Sequence, residues 1–322
     1  MSNELNILFL VHPSPNYIPD LLLHGLRKLL GPAVAEIPRK DCLYRGEMFF
    51  PCPDDQRCPN LFPDDSQVDR TDIPAKMAKG YFSYVFCDVR AVPLLQRTVS
   101  QWPRGLAIVD GEDAPVRIAP GPFAICRRET DGTDFSIPLP MALPEEILKW
   151  VASYDPIPKS YSVGFLGSVT QFAPERGAIA QRIAQLFPDS LVRTTELPTA
   201  QNAYPSGRMG RDEYYKNLQR CRIVLNLRGT GYDTFRFWEN AACHAVHVSQ
   251  KMPLFIPNDF EHGRHILRFS DVNELVQLVA AVLDGRIPSA PILHEARQHL
   301  INFHLTSKRA AYVLDRLKRI FG

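Results

Sequence analysis

The sequence predicts an α/β protein built as two Rossmann-like lobes that face each other across a cleft. Three observations predict it: short apolar runs that end in polar clusters, helically spaced apolar segments between those runs, and a proline-rich joint after which the alternation restarts. Strands buried on both faces of a parallel sheet read as continuous apolar runs. Ligands of such sheets gather beyond the carboxyl ends of the strands, which explains the polar clusters there. At ~150 residues per domain, a chain of 322 residues makes about two domains, and 45% hydrophobic residues is enough to bury a core in each.

Residues 6–11 form the first run and break at His12-Pro13-Ser14-Pro15; Leu21, Leu22, Leu26, Leu29 and Leu30 then recur at helical spacing. Runs at 81–89 and 106–109 end in Asp88-Val89-Arg90 and Asp110-Gly111-Glu112-Asp113. Between 41 and 72, Pro51, Pro53, Pro59 and Pro63 exclude a central strand or a long helix, so about 41–77 reads as an insertion or lid loop. A short helix flanked by prolines then leads to Asp155-Pro156-Ile157-Pro158. This places a semi-rigid joint near residue 155, with lobes at 1–155 and 156–322. The second lobe runs as strand 161–166, helix 176–186, strand 191–194, helix 214–219, strand 223–227, helix 236–244, strand 246–249, loop 253–260, strand 266–269 and helix 273–283. The terminal helix is expected to pack back on the first lobe.

Charge and cysteine usage narrow the function classes. The 37 basic and 35 acidic residues nearly cancel, so no long-range field draws nucleic acid, and an anion must be held locally. No apolar run reaches the ~18 residues of a membrane span. The first residues carry no positive leader, and the seven cysteines are sparse and odd in number; both point to a reducing cytoplasm. Cys42, Cys52 and Cys58 lack the paired spacing of structural zinc sites.

Chemistry concentrates at strand ends. Val163 to Ser168 runs a strand into a small-residue turn, where Gly167 allows close approach of a phosphate and Ser168 offers a hydroxyl; a tight turn needing glycine for itself is the plainer alternative. The nucleotide fingerprints GxGxxG and GxxxxGK[ST] are absent, which argues against dehydrogenases and P-loop enzymes. The densest cluster runs from Tyr214 to Glu239. A strand delivers Asn226, Arg228 and a loop with Gly229, Thr230, Gly231 and Tyr232, and Asp233 or Thr234 is placed to cap the next helix. Arg236 falls in its first turn, where a guanidinium and unpaired amides suit a phosphate. Glu239, three residues on, shares that face, either as an acceptor for ribose hydroxyls or as a salt-bridge partner of Arg236. Arg208, in a glycine-flanked loop, is a further candidate phosphate clamp.

The block 214–244, together with 269–275 and 304–310, resembles the carboxyl-terminal domain of CgeB-like glycosyltransferases, which are related to group 1 glycosyltransferases; its Arg-x-x-Glu loop is similar to that of exostosins. The resemblance covers about half of the chain. It implies the GT-B fold, a nucleotide-sugar donor held by the second lobe, no cofactor and no obligatory metal. It places the ribose-binding carboxylate at Glu239 and the phosphate-side arginine at Arg236. One departure is His244, where such helices usually carry glycine.

The function expected is transfer of a sugar from a nucleotide-sugar donor to a hydroxyl of a glycan, protein or small molecule. Gly167, Ser168, Arg208, Asn226, Arg228, Tyr232, Thr234, Arg236 and Glu239 form the donor set. Among Asp110, Glu112 and Asp113 one carboxylate is expected to deprotonate the acceptor, with His12 at the lip of the cleft as the other candidate base. A non-catalytic glycan- or nucleotide-binding protein and a nucleotide-sugar epimerase share the same expected shape.

Overall fold

A computed structural model describes residues 5–44, 67–98, 102–154, 156–169, 171–195 and 209–322. The first lobe contains β1 (Ile7–Leu10), α1 (Tyr17–Leu30), β2 (Val34–Ile37), α2 (Ile73–Ala78), β3 (Tyr84–Asp88), α3 (Val92–Thr98), β4 (Leu106–Asp110), β5 (Ala124–Arg127), β6 (Ile137–Pro138) and α4 (Glu145–Ser153). Its sheet has the order β2-β1-β3-β4-β5-β6, and every pairing is parallel. The second contains β7 (Tyr161–Ser168), α5 (Glu175–Leu186), β8 (Leu191–Thr195), α6 (Arg211–Gln219), β9 (Cys221–Asn226), α7 (Phe235–Ala242), β10 (Val246–Gln250), β11 (Leu267–Phe269), α8 (Val272–Leu283) and α9 (Ser289–Phe303). Its sheet, β11-β10-β9-β7-β8, is also parallel throughout. The two-lobed α/β architecture is therefore the one the sequence predicts.

The alternation places β7 and β9 side by side at the centre of the second sheet, and their carboxyl ends deliver Gly167, Ser168 and Asn226 to one edge. In the first sheet the ends of β1, β4 and β5 deliver His12, the 110–113 turn and Arg128 to the corresponding edge. Strands β2, β5 and β6 were not anticipated: each is short, and β2 carries a charged residue. Glu36 within β2 is fully buried, with Arg27 and Arg70 paired to its carboxylate and the Tyr44 hydroxyl donating to it at 2.5 Å. Of the expected insertion, residues 45–66 lie outside the described residues, as do Cys52 and Cys58, and the segment's end folds as α2.

The last helix, α10 (Thr306–Phe321), leaves the second lobe and lies along α1. A Cβ at Gly25 would sit 2.1 Å from the Thr306 carbonyl oxygen, so only glycine lets the two helices approach this closely. Glu145 of α4 caps the incoming helix, accepting from the Thr306 hydroxyl at 2.7 Å and from the Ser307 amide at 3.2 Å. One apolar core consequently runs from Phe9 and Leu26 through Val151 and Leu317 to Leu166 and Trp238.

His247 on β10 is buried against Phe237, and its Nε2 has no hydrogen-bond partner. Burial first, and the Arg268 charge second, push its imidazole down to about 3. The unfolded chain, titrating near ~6.5, takes up a proton below that pH that the folded state refuses, so this contribution is complete above 6.5 and is lost as pH falls. Between pH 6.5 and 5 the loss should approach about 2 kcal/mol, and a His247→Phe variant should lack it. Urea unfolding of both proteins at the two pH values measures the difference, and equal slopes would refute it.

Candidate functional site

The glycine loop after β9 is tied at both ends. The Thr234 hydroxyl donates to Asn226 Oδ1 at 2.6 Å, and Asn226 Nδ2 donates to Ser249 Oγ at 3.1 Å, which joins β9, β10 and the start of α7. Of the two residues expected to cap α7, Thr234 holds the cap position, but neither side chain caps the helix. The Asp233 carboxylate instead accepts from the Met141 amide at 2.6 Å and from Trp238 Nε1 at 2.9 Å, and Thr234 makes no side-chain cap. The helix start therefore keeps its positive end without a side-chain acceptor. Loop amides that could have met a phosphate are taken as well, since Glu129 of the first lobe accepts from the Asp233 amide at 3.0 Å.

Three arginines stand about these strand ends, and two of them, Arg176 and Arg236, share one ring. The guanidinium carbons of Arg236 and Arg176 each lie 5.3 Å from the centroid of the Phe165 ring, and that of Arg228 lies 4.5 Å from the Tyr232 ring. A Cβ at Gly167 would fall 2.6 Å from Arg236 Nη2, and one at Gly229 3.5 Å from Arg176 Nη1, so the two glycines bring the guanidinium groups close to the strand-end backbone. Among the described residues none of the three arginines has a carboxylate within ion-pair distance, and each has a buried Nε without a hydrogen-bond partner. Burial, then the Arg236 charge, pull Arg176 down to about 9. Arg176 and Arg236 disfavour each other's charge unless an anion joins them. Sequence reasoning missed Arg176, which reads as a solvated first-turn residue beside Glu175; only the approach of β7 and β9 brings it to Arg236.

Glu239 is buried, and no ion pair joins it to Arg236. Its oxygens accept from the Tyr215 hydroxyl at 2.7 Å and the Tyr214 hydroxyl at 2.9 Å. Burial raises the Glu239 carboxyl, while the Tyr215 hydrogen bond and the Arg236 charge hold it down. Both phenols are raised well above their usual range, by burial first and the Glu239 charge next. Ser168 Oγ turns toward β8 and lies 3.3 Å from Thr195 Oγ1. His244, at the glycine position just past α7, adopts a left-handed φ of 49°, so the backbone turn is kept without glycine. Arg208 lies outside the described residues.

The candidate bases of the first lobe separate by environment. Asp110 is buried and committed to its own loop: Oδ2 accepts from the Val116 amide at 2.9 Å and from Arg127 Nε at 3.2 Å. His12 Nδ1 accepts from the Ser14 amide at 3.2 Å, so the neutral ring carries its proton on Nε2 and presents a donor there. Buried Lys40 fixes this loop, donating to the carbonyls of His12 and Ser14 at 2.6 and 2.7 Å. Glu112 and Asp113 remain accessible, at 39% and 45% side-chain exposure. Glu112 accepts from Asn16 Nδ2 at 3.0 Å, and Asp113 accepts from Arg128 Nη1 at 2.7 Å. The lobes meet beside these groups, where Tyr17 at the start of α1 stacks on Phe235 at the start of α7, with centroids 5.2 Å apart.

Among the described residues one group of histidine and carboxylates is close enough to share a cation, His24, Glu145 and Glu146, at the junction of α1, α4 and α10. Glu146 is already paired with Lys28, and Glu145 with the start of α10. No helix among the described residues is long and apolar enough to cross a membrane.

A family model described as glycosyl transferase-like matches residues 180–315. Among solved structures, HepE of Anabaena in complex with UDP-glucose superposes with a TM-score of 0.59 at 12% identity, covering 98% of this chain and 99% of that one. Sucrose-phosphate synthase of Thermosynechococcus elongatus gives 0.56 at 10% identity, with 98% and 99% covered. A glycosyltransferase of Rickettsia africae gives 0.53 at 9% identity, with 99% of each chain covered. No curated protein sequence matches significantly. The chain thus has the two-lobed GT-B fold of these glycosyltransferases and carries a glycosyl transferase-like segment across most of its second lobe.

Proposed function

We propose that the protein transfers a sugar from a nucleotide-sugar donor to an acceptor hydroxyl without a metal ion, and that its second lobe is of the CgeB-like kind. The observation that carries this reading is Arg176, Arg228 and Arg236, three arginines that make no ion pair among the described residues, set beside a start of α7 whose N-cap Thr234 makes no side-chain cap. A diphosphate supplies the missing negative charge and the acceptors for their N–H groups. As the bond between the sugar and the diphosphate breaks, charge builds on the departing oxygen, and donors already in place stabilise it without reorganising. Glu239, with Tyr214 and Tyr215, forms the nucleoside end of the donor site. Glu112 or Asp113 accepts the proton of the attacking hydroxyl, both being accessible carboxylates where the lobes meet.

Uridine nucleotides are the first ligands to test, because the complex of HepE contains UDP-glucose. Calorimetric titration with UDP, GDP, CDP and dTDP in the presence of a chelator should show binding of at least one, and the corresponding nucleotide sugar should release nucleoside diphosphate under the same conditions. If none binds, or if turnover appears only after manganese or magnesium is added, the reading fails.

A further inference from the structure

Arg128 is the first residue beyond β5 and one of the few charged side chains buried where the lobes meet. Toward its own lobe, Nη1 donates to Asp113 Oδ1 at 2.7 Å and to the Gly111 carbonyl at 3.4 Å. Toward the other lobe, Nη2 donates to the Asp233 carbonyl, and Nε lies 3.7 Å from Asp233 Oδ2. Glu129, the next residue, holds the Asp233 amide. We infer that Arg128 is a positioning residue that locks the glycine loop of the second lobe to the acidic turn of the first, so that the donor arginine and the acceptor carboxylate are set relative to each other by one guanidinium.

Three features carry the inference beyond an ordinary ion pair. The bonds go to two elements remote in sequence, one on each side of the cleft, and the planar guanidinium reaches both from separate nitrogens in one fixed geometry. The loop it grips leads straight into α7, whose first turn bears Arg236. The packing also leaves no slack, since a Cβ at Gly231 would lie 2.4 Å from Glu129 Oε1 and 2.8 Å from Asp113 Oδ1. One guanidinium faces three carboxylates here, Asp113, Glu129 and Asp233. Without it they would face one another and favour separation of the lobes. The catalytic consequence rests on the proposed transfer reaction; the mechanical coupling does not.

The test uses the full chain and Arg128→Lys, with Asp113→Asn as a second variant whose half-exposed side chain does not threaten folding. Amide hydrogen exchange needs no substrate: both variants should speed exchange across residues 229–234 by about tenfold or more, although Asp113 belongs to the other lobe. With the nucleotide sugar, Arg128→Lys should lower kcat by about tenfold while the donor KM stays within about threefold, and in the exchange measurement combining it with Asp113→Asn should speed residues 229–234 little more than either change alone. Unchanged loop exchange in both variants, or exchange rates that multiply in the double variant, would overturn the coupling. If the wild-type protein binds no nucleoside diphosphate, the donor reading falls while the exchange measurement still decides the role of Arg128.

Discussion

Replacing Arg236 with alanine should weaken nucleoside diphosphate binding by about 1.5–3 kcal/mol, the range for hydrogen bonds to charged groups, and should lower turnover at least as much. The same change should leave the unliganded protein as stable as before, or make it more stable. Among the described residues Arg236 makes no ion pair, and Arg176 beside it is depressed to about 9, by burial first and then by the Arg236 charge. Removing Arg236 relieves that repulsion and gives up only an attraction to Glu239 that involves no ion pair, whereas removing a structural salt-bridge partner would cost stability. Calorimetric titration with UDP and urea unfolding of the same variant read the two quantities separately. Unchanged affinity together with lost stability would return Arg236 to a structural role. Opposed changes in binding and stability are what a group held in place for a ligand produces.

Asp233→Ala should destabilise the folded protein by about 3–5 kcal/mol, the cost of breaking one partner out of a buried charged network. The Asp233 side chain is fully buried and binds the Met141 amide and Trp238 Nε1, with Arg128 close by. Alanine leaves two N–H groups and a guanidinium without their acceptor. Asp233→Asn keeps one oxygen but turns an amide donor toward a donor, so it too should be costly. Urea unfolding followed by fluorescence measures both, and a loss below 1 kcal/mol in each would show that the network contributes little.

Residues 214–239 made the second-lobe site partly legible because several signals coincided there: an apolar strand, a glycine loop, and Arg and Glu at helical spacing. What could not be read was which partner each side chain would choose. Asp233 has the residue type of a cap, yet Thr234 takes the cap position and the amide of Met141, distant in sequence, takes the Asp233 carboxylate. Glu239 faces Tyr214 and Tyr215 and makes no ion pair with Arg236, because α6 packs its tyrosines beneath α7. Arg176 and Arg128 carry no motif at all; their positions arise from the meeting of strands and of lobes. Short strands such as β6 offer too few residues for any period to register.

The path of α10 bears on how the molecule can be dissected. The backbone crosses between lobes twice, once after α4 and again before α10, so a cut near residue 155 does not separate two independent folding units. A fragment of 156–322 would keep α10 but lose α1, and Val313 and Leu317, fully buried in the whole protein, would face water. The complementary fragment would expose Leu22 and Leu26 in the same way. Each piece should aggregate when expressed alone, and the two co-expressed should reassemble through the α1 and α10 surfaces.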